Sequence, residues 1–366
     1  MVTYCKHTGE RLMGPMEFSA LTSDPENAPK IYRHSRPKFH AMLLDQLAEV
    51  GLSVEYGKEA VDFFEGVETG RAGVVVRDGS RYDADLVVAA DGVRTRSWNL
   101  VAGKEVPAVS SGDAIFRAAY PVELALIDPV VMERFKLLED GRSVIELWDF
   151  GTAQESWGNR VHPEEVLKYT ATIDGWSDIG DCVIKTIPSS SLVDWKVMWR
   201  DPQPQWTSPG GRVCQLGDAA HTFLPSSGNG ATQAIEDAVS LAACISMGRI
   251  REGVPNATRV HNLLRFERVS CLQAFGVVNR KKANSGGQTD DKPKDKLVRV
   301  GRWILEHDPE LYALENYAGA TAHLAHGTPF QNTNTPKGLV YMPWTIQGLL
   351  EAQEKGEATI LDGDWD

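Results

Sequence analysis

The sequence predicts a mixed α/β chain in which one lobe is interrupted by another, and three observations predict it. Two short apolar strands, DLVVAA (Asp85–Ala90) and RVCQL (Arg212–Leu216), each run into an acid–glycine pair, Asp91-Gly92 and Gly217-Asp218. Between them, residues 107–206 alternate β-like runs (AIFRAAY, SVIELWDF, CVIKTIP, WKVMW) with one helical stretch, His162–Ile173. The third observation is helical periodicity after Asn229, which continues through His261–Val278.

Taken in order, the first thirty residues show neither a capped helix nor a strongly apolar strand; VTYCKHTGERL reads at best as a short exposed strand with a turn. From Pro37 to Val50 the apolar positions Phe39, Met42, Leu43, Leu47 and Val50 recur at helical spacing, with Pro37 suited to the first turn and Gly51 to the C-cap. GVVVRD (Gly73–Asp78) follows as a strand, joined to the buried-looking DLVVAA through DGSRYDA, whose Asp-Gly is a turn signal. Beyond the 107–206 lobe, strand RVCQL, the loop SSGNGA and a helix from about Asn229 form one unit. Ala231, Ala234, Ile235, Ala238, Leu241, Ala242 and Ile245 draw one apolar face on that helix. Lys281–Lys296 is too polar for a core and reads as an exposed loop or disordered segment.

The 366 residues are 42% hydrophobic, enough for a large core, and carry a formal net charge of −12. Such an acidic field disfavours nonspecific binding to nucleic acid or anionic membrane. Five widely spaced cysteines, odd in number and without a CxxC, favour neither a zinc site nor a disulfide framework, so reduced thiols in a cytoplasmic setting are expected. No apolar run approaches the length of a membrane span, roughly 18 residues. No charged-then-apolar leader opens the chain.

Chemistry concentrates in three stretches. In LGDAAHTFLPSSGNGATQAIEDA (Leu216–Ala238), a glycine-rich turn delivers the chain into a helix whose free amides and positive dipole end suit an anionic or strongly accepting group. Gly228 and Gly230 let such a group approach the backbone. This is no dinucleotide fingerprint, because Gln233 stands where the third glycine belongs, and no GxGxxG occurs anywhere in the chain. The second stretch, DADLVVAADGVRTRSW, places Asp91 and Gly92 at the carboxyl edge of a strand, followed by Arg94 and Arg96. The third is Arg36, opening the first helix in RHSRPKFHAMLL. Each alone is an ordinary cap, turn or surface charge.

In that order and with those details, the chain resembles the FAD-dependent aromatic hydroxylases of the single-component flavoprotein monooxygenase class, the salicylate-hydroxylase-like fungal members above all. Asp85–Ser97 and Val213–Ala238 carry the match, with WKVMWRDPQPQW, HDPELYALENY and TPFQNTNTPKGLVYMPWTI adding to it, so it extends from Ala28 onward. The resemblance implies an incomplete Rossmann-like FAD-binding domain with an inserted β-sheet substrate domain and a C-terminal helical region. Its segments would be 1–106 and 207–280 for FAD, the first truncated at its N-terminus, 107–206 for substrate, and 281–366 for the polar loop and helical end.

It further implies FAD as cofactor, NAD(P)H as co-substrate, and O2 used to hydroxylate an aromatic or polyketide-type secondary metabolite. Arg36 would lie near the flavin and its ribityl or phosphate chain, with Asp91 and Gly92 close to the cofactor and the nicotinamide approach. Asp218 would bind the ribityl hydroxyls, and the turn from Gly228 through Gly230 and Ala231 would face the flavin's pyrimidine edge. Arg117, in AIFRAAYP, would hold a phenolate substrate. No metal is implied.

The departures are the absent GxGxxG unit and a gap between Trp148 and Trp157, where a strand pair carrying a tyrosine is expected. They keep two other readings open. One is a non-redox cyclase, isomerase or binding protein derived from such an enzyme; the other is an inactive truncated product.

Overall fold

The computed structural model describes residues 2–17, 26, 34–66, 68–135, 145–149, 160–284, 301–355 and 363–365. Strand β1 (Val2–Lys6) turns through Gly9 into antiparallel β2 (Arg11–Met16) and also pairs in parallel with the distant β8 (Ile145–Asp149), giving the order β2-β1-β8. The opening segment is therefore not an exposed hairpin: β1 is central, and Thr3 and Cys5 are buried. It joins the elements of 107–206, to which His7 also ties it by accepting the amide of Ser177 on its carbonyl.

Helix α1 (Arg36–Glu49) starts with Pro37 in its first turn and ends where Gly51 takes φ +74, as its sequence predicts. None of its residues is buried, however, and Met42 and Leu43 stay exposed. An apolar stripe is buried only where another element covers it, and none of the described elements covers this one.

Strands β3 (Ala60–Gly66), β4 (Arg71–Val76) and β5 (Arg81–Ala84) form an antiparallel meander. Its inner face, with Phe63 and Ala72, packs on Ala89 of β6 (Val87–Ala89) and Val213 of β10 (Val213–Gln215). These two strands pair in parallel, Val213 opposite Val87. Glu65 sets their approach, accepting from Ser208 Oγ (2.8 Å) and from the amides of Gly210 (2.8 Å) and Arg212 (2.7 Å). A Cβ on Gly210 would strike that carboxylate and force Glu65 to shift off these donors. The β6 strand is less enclosed than its apolar run predicts, with Val88 exposed beside an edge that no described strand pairs.

After α2 (Trp98–Val101), the middle region opens with β7 (Val109–Ala118), which pairs antiparallel with β9 (Leu192–Trp199). One face of that pair, including Phe116 and Leu192, packs on α5 (Pro163–Thr170) and α6 (Asp178–Lys185) through Val161, Val166 and Ile184. The run CVIKTIP is not a strand. Ser177 caps α6 by accepting the amide of Ile179, and Asp178 and Asp181 stabilise its first turn, so local capping outweighs the β-branched content of Val183 and Ile184. Short helices α3 (Val122–Ala125) and α4 (Pro129–Arg134), the latter capped by Asp128, complete this region.

Helices α7 (Gly230–Gly248), α8 (Val254–Asn284) and α10 (Pro309–His326) share a core of Ala243, Cys244, Ala257, Val260, Leu264, Ala313, Tyr317 and Ala320. Between the last two lies the short α9 (Arg302–Leu305), and α11 (Ile346–Lys355) packs through Ile346 and Leu349 with Val197 and Trp199 of β9. The predicted burial of α7 holds in part: Leu241 is buried, and Ala234 and Ile245 are half-buried. Ala231, Ile235, Ala238 and Ala242 face outward, while Gln233, Glu236, Asp237 and Ser240 are buried with Leu241. The reason lies on α8, whose Arg265 and Arg268 are fully enclosed and require those acceptors. Of the predicted polar loop, Lys281–Asn284 ends α8 and the remainder lies outside the described residues, as does the segment 150–159. The cysteines are unbridged, and burial pushes the Cys244 and Cys271 thiols up to about 12. No helix among the described residues is long and apolar enough to cross a membrane.

Candidate functional site

Parallel strands β6 and β10 end side by side, so the loops that follow them emerge together at their carboxyl edge. Gln215 Nε2 donates to Ser97 Oγ (2.8 Å), tying the second strand to the loop after the first. In that loop Gly92 takes φ +84, and the amide of Thr95 closes the turn onto its carbonyl.

The other loop begins at Gly217, whose φ of +57 favours glycine and whose amide donates to Asp237 Oδ2 (3.0 Å). The same carboxylate meets His221 Nε2 at 2.5 Å and receives Arg265 Nε on its other oxygen at 2.9 Å. Burial alone raises a carboxyl pKa; His221 and Arg265 outweigh it and hold Asp237 well below the usual carboxylate range. One buried anion thus binds the Gly217 turn to α7. Glu236 is likewise depressed, by Arg265 and Arg268 against its burial.

Asp218, by contrast, lines a cavity of about 680 Å³. Val93, Arg94 and Arg96 of the first loop, Val106–Ala108 at the lobe junction, Trp195–Met198 of β9 and Thr222, Phe223 and Pro225 complete its walls. Protein crowding raises the Asp218 pKa, while His221, Arg36 and Arg200 pull it back. Arg36 therefore faces Asp218 electrostatically from the start of α1. Gly228 takes φ +64 with open space where a Cβ would stand, and Phe223, a cavity residue, lies against Gly230 at the first turn of α7.

Of the residues singled out in the sequence, Asp218 lines the cavity. Arg36 lies within electrostatic reach of it, and Gly228, Gly230 and Ala231 open the helix beside Phe223. Asp91 and Gly92 sit one step outside, immediately before Val93. Arg117 stands apart from the cavity wall: it is exposed on β7 opposite Val193, on the sheet face that also shows Ile115 and Trp195. Trp195, Phe223 and Arg200 are cavity residues that sequence reasoning does not single out. Trp195 carried a signal, since strand alternation puts it on the face of Val197 and Trp199, opposite Asp194. Arg200 carried none, because an arginine after a strand reads as a surface charge.

These residues fit the flavin and ribityl portion of FAD: a carboxylate open to the cavity for hydroxyl groups, and a glycine-lined helix start for a polar ring edge. The diphosphate fingerprint has no counterpart in residues 1–366.

Comparison with known proteins shows the family. The family described as FAD binding domain matches residues 6–248. The chain is 40% identical over 401 residues to the FAD-dependent monooxygenase dmxR9 of Cryptosporiopsis sp. (strain 8999), covering 100% of this chain and 76% of that protein. It is equally 40% identical over 399 residues to the FAD-dependent monooxygenase fsr3 of Gibberella fujikuroi, with the same coverage. Among solved structures, CtdE in complex with FAD and a substrate aligns with a TM-score of 0.74 at 24% identity, over 89% of this chain and 82% of that one. FqzB aligns with a TM-score of 0.73 at 22% identity, over 92% of this chain and 79% of that one.

Proposed function

The chain belongs to the FAD-binding family of fungal FAD-dependent monooxygenases, and from that premise we propose that it hydroxylates an acidic aromatic or polyketide-type metabolite with NAD(P)H and O2. One observation carries the reading: a single cavity joins Asp218 and the loop after Gly92 to the sheet surface around Trp195, so that a cofactor and an aromatic substrate share one enclosure. Residues 34–106 and 207–280 serve the cofactor, and 107–206 the substrate.

When bound, FAD supplies the chemistry, taking reducing equivalents from NAD(P)H and using O2 to deliver a hydroxyl group. The chain's own residues do the rest. Asp218 and Arg36 hold the ribityl side, with Asp91 and Gly92 shaping the nicotinamide approach. The amides opening α7 at Gly230 and Ala231, reached past Gly228, stabilise negative charge at the ring's edge. Trp195, Met198 and Phe223 wall the cavity with apolar surface that excludes water.

Arg117 favours the ionised form of a phenol, which is the more electron-rich nucleophile. Its register gives this geometry a scale. Ile115 lies directly opposite Trp195, and Arg117 is two residues further along the same face. On a paired pleat such a diagonal spans about 7–8 Å between backbones. An aromatic ring lying on Trp195 is then within reach of the guanidinium through its phenolate.

The test is the visible spectrum of the 366-residue protein after incubation with FAD and desalting, followed by NAD(P)H oxidation in the presence of candidate phenols. The expected outcome is retained flavin absorption and substrate-stimulated oxidation, with Asp218→Ala losing flavin and Arg117→Ala losing the stimulation. A folded but colourless protein would sink the redox reading; if it still bound an aromatic acid, the cyclase or binding-protein reading would replace it.

A further inference from the structure

Arg200 immediately follows β9, between the buried Trp199 and the exposed Asp201, and it is itself only 4% exposed. Its guanidinium lies in the cavity wall over the face of Trp98, 5.3 Å from the ring centroid. Among the described residues no carboxylate forms an ion pair with it. Its hydrogen-bond acceptors are instead backbone carbonyls and one hydroxyl.

Nε donates to the carbonyl of Val106 (2.9 Å) and Nη2 to that of Val93 (2.8 Å). Nη1 faces the carbonyls of Ala219 (3.4 Å) and Asp218 (3.5 Å) and the hydroxyl of Thr222 (3.4 Å). Burial pushes its pKa down to about 10, which leaves it charged at neutral pH.

Enclosing a cation that Asp218 balances only through space is costly, and carbonyl dipoles replace its lost water only if each is aimed at it. The three segments so aimed are the loop after Gly92, the junction leading into β7, and the Asp218-Ala219 turn. They are remote in sequence and adjacent in the site. With its carbonyl turned toward Arg200, Asp218 has its carboxylate left to the cavity.

We propose that Arg200 is a positioning residue for the cofactor site, a planar fork that sets the spacing between the Val93 loop and the Asp218-Ala219 turn and couples both to strand β9. Lysine offers donors from one point and cannot span those directions. The inference concerns this chain's own loops, so it stands or falls separately from the choice of substrate.

Hydrogen exchange on the protein without added cofactor tests it. The amides of Thr95, Ala220 and His221 close the two turns internally, onto Gly92 and Gly217. In Arg200→Met these three exchange about tenfold faster or more, as loss of charged hydrogen bonds predicts, while amides in α10 and in β3–β4 keep their rates. Arg200→Lys, which retains charge and bulk, shows the same local acceleration and carries the test if the methionine variant does not fold. A parallel FAD titration is expected to show weakened binding in whichever variant loosens the turns. Unchanged exchange at Thr95, Ala220 and His221 in the lysine variant overturns the proposal, and so does acceleration spread equally through α10.

Discussion

Helices α1 and α7 carry similar apolar stripes in sequence, and neither buries the whole of its stripe, yet the two are held very differently. Helix α1 presents Met42 and Leu43 to the outside and has no buried residue at all. Helix α7 leaves Ala231, Ile235, Ala238 and Ala242 outside but plants Gln233, Glu236 and Asp237 against Arg265 and Arg268. Amphipathicity thus identifies both helices without locating either. What locates α7 is charge, and it sets the helix start next to the Gly217 turn; Arg36, at the head of α1, has no such framework behind it.

Asp237→Ala puts this contrast under the greatest strain, because it strands His221 and leaves Arg265 with Glu236 as its one carboxylate partner in the interior. The expected cost is about 3–5 kcal/mol of unfolding free energy, read from urea denaturation. A loss below about 1 kcal/mol, the size of an ordinary substitution, would show that the apolar contacts of α7 suffice without the network.

Acid is the next lever. Burial, with neighbouring arginine charge, lowers His261 to about 4 and His307 to about 3. An imidazole pKa lowered on folding means that the unfolded chain takes up its proton first. Stabilisation is therefore complete above about pH 6.5 and declines as the pH falls toward the folded values, by about 1.4 kcal/mol per pH unit for each histidine. Asp237 and Glu236, held below their unfolded values, add their own loss only below about pH 4. Denaturation midpoints followed from neutral pH into mild acid should fall from about pH 6.5 downward; a flat profile would contradict the neutral histidines.

Gly217→Ala is expected to cost about 1–2 kcal/mol, the scale of a residue forced into a sparsely populated backbone conformation. The φ there is +57, and a new Cβ would sit 3.1 Å from that of Ala234. Thermal denaturation of the variant reads this loss, and an unchanged midpoint would mean that the turn tolerates a side chain. The smallest effect belongs to α1. Leu43→Gln should change stability by no more than about 0.5 kcal/mol, the range of uncoupled surface sites. A cost above about 1 kcal/mol in the same assay would mean that this stripe is covered in solution.

How far the sequence discloses the site follows the same division. The Asp91-Gly92 loop and the Gly217–Ala231 unit are legible because strand periodicity and turn glycines act locally. The helix at Asp178 reads as a strand because Val183 and Ile184 look β-like, and only the Ser177 cap argues otherwise. Arg200 and the inward Asp237 are illegible for a different reason: a charge is buried only when residues distant in sequence supply partners, and the local sequence does not record them. Trp195 lies between, its face set by alternation but its role set by where β9 sits.

The parallel pairing of Val87 with Val213 also carries a consequence for how the protein is made. The strands that present the two cavity loops emerge from synthesis on opposite sides of the whole inserted lobe, and β1 likewise waits for β8. Contacts of such long sequence separation close late, after local helices and hairpins have formed. The cavity around Asp218 is then among the last features to exist in a nascent chain. Slow maturation, with cofactor capture limited by lobe closure rather than by supply, is the kinetic signature to expect during expression.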